Sequence, residues 1–329
     1  RVDGLARGLL SLGIRKGDVV GLQLPNIPEF IACYLAISAI GAVTQTIHMA
    51  YAEKDISFLL HHGRARAVIC LAAFKDFPTA RVMREIQGGL GSRNHVIVVG
   101  GGGPEGTVDL ADLLAGDGPE IDNPPVGADP FILLYTSGTV ANPKGVPLTY
   151  QNMLSNARLS APEFGIKGDD RILTPAPYTH LYGIFSFDMG LHVGAAQVLL
   201  EAYSPLSLAR TVEKEKPTIL FLGPPHASAL LGEGLMDAHD FSSVRLTVFS
   251  GSYCPPDLLR RYQAKIPGST LSQLWGMTEL EAGCFSRPAQ GLETALHSAG
   301  PPAPGNEVRI VSEETGEVLG PDTEGELQI

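Results

Sequence analysis

Short apolar runs alternate with longer amphipathic stretches along most of the chain, and each run or stretch predicts one strand or one helix. Strands are expected at 19–24, 43–47, 67–71 and 96–99, with helices at 28–40, 53–61 and around 81–86 between them. The alternation resumes with a helix at 150–159 and a strand at 171–173. Beyond the apolar stretch 184–192 come strands at 196–200, 219–222, 246–250 and 270–274, with helices at 207–214, 226–231 and 256–264. Such an order is the mark of βα units around a largely parallel sheet, so an α/β fold with two βα subdomains is expected. The lobes are read as 17–168 and as 1–14 together with 169–298.

Both ends of the chain cut into this pattern. Val2, Leu5, Ala6, Leu9, Leu10 and Leu12 share one helical face from the outset, with no initiating Met, and 326–329 reads as a strand opening. The chain is therefore expected to be the interior portion of a longer protein. From Gly300 the character changes: Gly300-Pro301-Pro302-Ala303-Pro304-Gly305 reads as a linker. Strand signals at 308–311 and 317–319 flank a turn at Glu314-Thr315-Gly316, so 299–329 is expected to begin a small antiparallel β-barrel subdomain.

Composition narrows the partners. With 329 residues, 44% hydrophobic and 18% charged, the chain is long enough for a large core and more than one lobe. A net charge of −11 argues against nucleic acid, which needs clustered Lys and Arg. The most apolar stretch, 30–43, falls short of the ~20 residues that span a bilayer, so no transmembrane segment is expected. Cys33, Cys70, Cys254 and Cys284 lie far apart without C-x-x-C spacing and read as reduced cytoplasmic thiols. The histidines show no metal spacing, although His61 and His62 are adjacent and are expected at a helix end.

The candidate chemistry begins at Thr136-Ser137-Gly138-Thr139-Val140-Ala141-Asn142-Pro143-Lys144-Gly145, directly after the apolar run 131–135. Glycines let backbone N–H groups turn toward an anion, hydroxyls add donors and a lysine adds a point charge, so the loop suits phosphate. The alternative is a polar hairpin loop without a ligand. It is not the P-loop pattern, because an extended piece, 146–148, follows the lysine, with Thr149 as the cap of the next helix. Gly101-Gly102-Gly103-Pro104-Glu105-Gly106 fits G-x-G-x-x-G but carries Pro104 and lacks a following helix, so it reads as a surface loop.

Two further segments follow strands, where α/β sheets place ligands. In Gln273-Leu274-Trp275-Gly276-Met277-Thr278-Glu279, Trp275 offers a face for a purine, Thr278 a phosphate donor and Glu279 a carboxylate for magnesium. In Pro177-Tyr178-Thr179-His180-Leu181-Tyr182-Gly183, aromatics and a histidine surround a glycine, with a buried structural histidine as the alternative.

Together the segments resemble the adenylate-forming superfamily of acyl-CoA synthetases, peptide-synthetase adenylation domains and luciferases, and lie nearest to the acyl-CoA synthetases. The first is similar to T-S-G-[ST]-T-G-x-P-K-G, the second to Y-G-M-T-E with Trp275 in place of tyrosine, the third to P-x-x-H-x-x-G. Ser250-Gly251-Ser252, the Gly300 to Val308 region and Gly325-Glu326-Leu327 extend the match in the family's order.

The resemblance implies activation of a carboxylic acid by ATP with Mg2+, then transfer of the acyl group to coenzyme A. On that likeness Thr136, Ser137, Gly138, Thr139 and Lys144 hold phosphates, and Gly251, Ser252, Trp275, Gly276 and Met277 take the nucleotide. Thr278 meets the α-phosphate and Glu279 binds the metal. His180 stands between acid and thiol, and the acyl pocket takes in Tyr178, Tyr182, Gly183, Gly223, Gly251 and Met277. Small Gly183 and Gly223 are expected to give that pocket room.

Val140 and Ala141 depart from the usual Thr-Gly, removing a hydroxyl donor and adding a Cβ. The resemblance places the family's ribose motif, hinge and lysine-bearing C-terminal domain beyond Ile329, implies poor activity without them, and leaves a homodimer open. Two alternatives stand beside the ligase: an amino-acid adenylation domain, for which Asp188 lies near the third segment, and a binding-only homologue.

Overall fold

The structure, a computed structural model, describes residues 1–90, 94–115, 118–136 and 143–329. They form two compact units. The first comprises residues 1–154, 175–184 and 199–203, the second residues 155–174, 185–198 and 204–329.

In chain order the elements through the first unit are α1 (Val2–Ser11), β1 (Val19–Gln23), α2 (Pro28–Ala39), β2 (Val43–Thr46), α3 (Glu53–Gly63), β3 (Ala67–Leu71), α4 (Thr79–Leu90), β4 (His95–Val99), β5 (Val108–Asp109), α5 (Leu110–Leu113), β6 (Pro130–Thr136) and β7 (Lys144–Thr149). Its seven-stranded sheet runs β5-β4-β3-β1-β2-β6-β7. Every neighbouring pair is parallel except β6 with β7.

The predicted alternation is what builds this sheet. Strands buried on both faces read as unbroken apolar runs, and β3 and β4 are such runs. Ile56, Leu59 and Leu60 of α3 and Met83 and Ile86 of α4 cover Val68, Cys70, Val96 and Val98. Each such side chain stabilises the unit by ~1.5–3 kcal/mol when fully buried. Pro28 opens α2 at its first position, where a missing N–H is harmless. His61 and His62 fall in the last turn of α3, as their pairing suggested.

The second unit continues from α6 (Tyr150–Glu163) with β8 (Arg171–Leu173), α7 (Leu181–Val193), β9 (Ala196–Val198), α8 (Pro205–Glu215), β10 (Ile219–Leu222), α9 (Pro224–Gly232), α10 (Leu235–Ala238), β11 (Leu246–Phe249), α11 (Pro256–Lys265), β12 (Thr270–Met277), β13 (Glu281–Phe285), α12 (Gly291–His297), β14 (Arg309–Val311) and β15 (Glu326–Gln328). Its six-stranded sheet has the order β13-β12-β11-β10-β8-β9, parallel except for the last pairing of β12 with β13. Phe164 stacks on Phe285 with centroids 4.2 Å apart and meets Phe221 edge-on.

Asp170, 4% exposed, ties this unit together. It accepts from Arg245 Nε at 2.9 Å, Thr218 Oγ1 at 2.7 Å and the Lys167 N–H at 2.8 Å. Burial alone would raise its pKa. The bonds from Arg245, Thr218 and Lys167, with the Arg245 charge, outweigh that and hold it below the ordinary carboxylate value.

Several expectations need correction. Residues 1–14 do not join the later lobe, because α1 packs on α2 and α5 of the first unit. Nor are the units contiguous blocks divided at 168. Residues 175–184 return to the first unit, where Asn26 accepts from the Tyr178 N–H at 2.8 Å and donates to Ala176 O at 3.0 Å.

The strand at 270–274 continues to Met277 because β13 pairs with it. The 300–305 linker is not free either, since Pro301 O accepts from the Phe285 N–H and Ala303 N–H donates to Gly283 O. In the small antiparallel sheet β14 pairs with β15, while 317–319 supplies only an isolated bridge at Val318.

Among the described residues no helix is long and apolar enough to cross a membrane.

Candidate functional site

In the first unit, β6 and β7 form an antiparallel hairpin that sets Thr136 opposite Lys144 at the mouth of the Ser/Thr/Gly loop. Lys144 is exposed. Ser137, Gly138, Thr139, Val140, Ala141 and Asn142 lie outside the described residues. The loop opens from an apolar strand, and Thr149 caps α6 by accepting the Asn152 N–H at 3.2 Å.

The 177–183 segment also lies in this unit. Tyr178 is 2% exposed, with its ring 5.6 Å from that of Phe30, and burial raises its phenol pKa. His180 precedes α7 as its cap, with Nδ1 accepting the Tyr182 N–H at 3.2 Å. In the neutral ring the proton therefore sits on Nε2. Packed protein around the exposed imidazole lowers its pKa through desolvation.

Gly183 has a different reason to be small from the one expected. A Cβ there would stand 2.3 Å from Pro177 O, so the turn into α7 requires glycine whatever the ligand. At Gly223 a Cβ would make only ordinary contacts, and its N–H donates to His226 Nδ1 at 2.8 Å.

The second unit holds an open cavity of about 570 Å³, lined by Ser250, Gly251, Ser252, Gln273, Trp275 and His297 among others. Gly251 adopts a φ of 91° with open space around it. The Trp275 indole packs against the partner strand: a Cβ on Gly283 would come within 2.4 Å of it. The ring is thus bounded on one side by β13, and 37% of the residue stays exposed. Gln273 donates through Nε2 to Ala295 O, fastening α12 beside the cavity.

Past Trp275 the ladder shifts register at Gly276, and Thr278, Glu279 and Leu280 make the turn between Met277 and Glu281. Glu279 is exposed and Thr278 half-buried, so the hairpin presents a carboxylate and a hydroxyl side by side. Met277 is 44% exposed.

Among the described residues no group of three or more His, Cys, Asp or Glu is placed to cage a metal. Magnesium fits such a place all the same, because it binds through one or two carboxylates plus substrate phosphates and keeps its waters. Glu279 is the carboxylate available for that.

Sequence reasoning missed two residues beside these segments. Glu281 looks like a solvated acid, yet it is 4% exposed, has a φ of 60°, and among the described residues neither carboxylate oxygen has a hydrogen-bond partner. Burial, and then the charge of Asp188, push its pKa well above the ordinary glutamate value. His48, two residues beyond β2, stacks on His180 at 6.2 Å. Its position just after a strand was the available signal.

The four cysteines are buried and unpaired; burial raises the pKa of each and pushes Cys33, Cys70 and Cys254 up to about 12, so they are inert thiols.

A family model described as AMP-binding enzyme matches residues 1–329. The chain is 31% identical over 343 residues to 4-coumarate–CoA ligase 5 of Oryza sativa subsp. japonica, covering 100% of this chain and 61% of that protein. It is 27% identical over 352 residues to the mitochondrial medium-chain acyl-CoA ligase ACSF2 of Danio rerio, covering 100% and 58%. The anthranilate CoA ligase AuaEII, solved in complex with anthranoyl-AMP, superposes with a TM-score of 0.88 at 25% identity over 97% of this chain and 61% of that one. The chain thus spans about three fifths of the length of the relatives it matches.

Proposed function

The chain belongs to the AMP-binding enzyme family, and from that premise we propose that it is the large ATP- and acid-binding portion of an acid–CoA ligase. The observation that carries the reading is the β12–β13 hairpin. It sets an aromatic face at Trp275 above a cavity large enough for a nucleotide base and, three residues on, a hydroxyl and an acid at Thr278 and Glu279.

In this reading the base lies in the cavity against Trp275, beside Gly251 and Ser252, and Thr278 donates to the α-phosphate. Thr136 and Lys144, with Ser137, Gly138 and Thr139 between them, hold the β- and γ-phosphates. Glu279, together with those phosphates, would hold Mg2+, which when bound would neutralise charge on the oxygens that leave as pyrophosphate.

The acid's carboxylate oxygen bonds to the α-phosphorus as the bond to the bridging oxygen of pyrophosphate breaks. A carboxylate resists attack by a thiol; the acyl-adenylate does not, because AMP is a good leaving group. The thiolate sulfur of coenzyme A then bonds to the carbonyl carbon and AMP departs. His180, with its proton on Nε2, is suited to donate a hydrogen bond to the acyl carbonyl oxygen as the thiol attacks. Tyr178, Tyr182, Gly183, Gly223, Gly251 and Met277 are proposed for the acyl group. The relatives named for 4-coumarate, medium-chain acyl groups and anthranilate support an acid with an apolar body. A cytoplasmic location and a homodimer belong to the same proposal.

Trp275 is the chain's single tryptophan, which makes the nucleotide site directly observable. Titration with ATP or AMP is expected to give a saturable change in tryptophan fluorescence that disappears in Trp275→Phe. A Trp275 signal that stays flat up to millimolar nucleotide removes the base from this cavity.

A further inference from the structure

His48 is held from several sides within the first unit. Its Nδ1 lies 2.7 Å from the hydroxyl of Thr179, and its carbonyl accepts from Gln23 Nε2 at 3.0 Å. Both of those partners are buried. Tyr51 meets the imidazole edge-on at 5.0 Å. The ring of His180 lies over it at 6.2 Å with an interplanar angle of 23°. His180 has its own Nδ1 engaged by the Tyr182 N–H, so Nε2 is the nitrogen that remains for a substrate.

The geometry points to His48 as a positioning residue for His180: it bonds Thr179, the residue before His180, and stacks on the His180 ring, fixing the direction of Nε2 for the acyl-transfer half-reaction. This rests on the reading that His180 flanks the reacting carbonyl. Plain core packing is a poorer account of a histidine at 48. A phenylalanine would stack but leave the buried Thr179 hydroxyl without this bond. An asparagine would keep the bond and lose the stack. Histidine does both.

Electrostatics agree with that geometry. Burial, and then the charge of His180, lower the His48 pKa to about 4, and burial lowers that of His180. The other titratable group facing the pair, the Tyr51 phenol, is raised by burial and then by Asp55, so it stays protonated. At neutral pH both rings are uncharged, and protonating one disfavours protonating the other.

The test uses the intact protein in two arms. In the kinetic arm, His48→Phe and His48→Asn are each expected to slow thioester formation about tenfold. Acid-dependent exchange between ATP and pyrophosphate should stay within about twofold, with His48→Ala slower than either. Equal losses in both half-reactions would mean general damage and overturn the positioning role, as would no loss at all.

In the second arm, NMR titration of labelled histidines follows the rings themselves. His180→Asn is expected to move the His48 midpoint upward from about 4. A midpoint that does not move means the rings are uncoupled and overturns the proposal whatever the enzyme does. A parent protein that forms no adenylate would defeat the ligase reading instead, and the titration would still decide the pair.

Discussion

Gly276→Ala is expected to destabilise the second unit by ~3 kcal/mol or more and to abolish the nucleotide-dependent fluorescence of Trp275. The added Cβ would stand 1.8 Å from Glu281 O, a backbone atom of the facing strand that no side-chain rotation can move. Gly276 lies at the register shift of the hairpin, so the strands must part there, and Trp275 and the Thr278-Glu279 turn would part with them. Thermal unfolding followed by circular dichroism, with the fluorescence titration alongside, checks both effects. A variant that melts within a degree of the parent and still binds nucleotide would mean that β12 and β13 do not approach as described.

The second large effect depends on pH. Glu281 has a folded pKa raised well above its ordinary 4.5, so the folded state holds a proton that the unfolded state releases. Stability from that proton is complete below the ordinary value and is lost as pH rises through the window up to the folded value. Glutamine at 281 has no proton to lose. The advantage of Glu281→Gln over the parent should therefore grow by ~1.4 kcal/mol for each pH unit inside that window. Urea unfolding of both proteins from pH 5 to pH 8 measures it. A difference that stays constant across the series would show that Glu281 is ionised in the folded protein.

Glu281 also explains where sequence reading ran out. A positive φ is usually announced by glycine, and here a glutamate occupies it, so the start of β13 was hidden. β13 itself, Glu-Ala-Gly-Cys-Phe, has small residues where an apolar alternation would be sought, because Gly283 must accept the indole of Trp275. The parallel strands were readable for the opposite reason: buried on both faces, they are continuous apolar runs bounded by turns.

Helix α1 was readable as a helix but not as a member of the first unit, since an amphipathic face says that it packs and not on what. The site divides in the same way. Trp275, Thr278 and Glu279 stand out because their motif is local. His48 and Thr179 are 131 residues apart, and nothing short of the fold reveals that they meet.

An acid–CoA ligase, as proposed for the protein this chain belongs to, first joins a carboxylic acid to AMP. Acid-dependent exchange of labelled pyrophosphate into ATP, measured with the intact protein over aryl and medium-chain acids, tests it most directly. Exchange is expected to require both the acid and magnesium, and to fall to background in Glu279→Gln. No exchange with any of these acids, in a protein whose Trp275 still reports bound nucleotide, would contradict it and leave a protein that binds ATP without activating an acid.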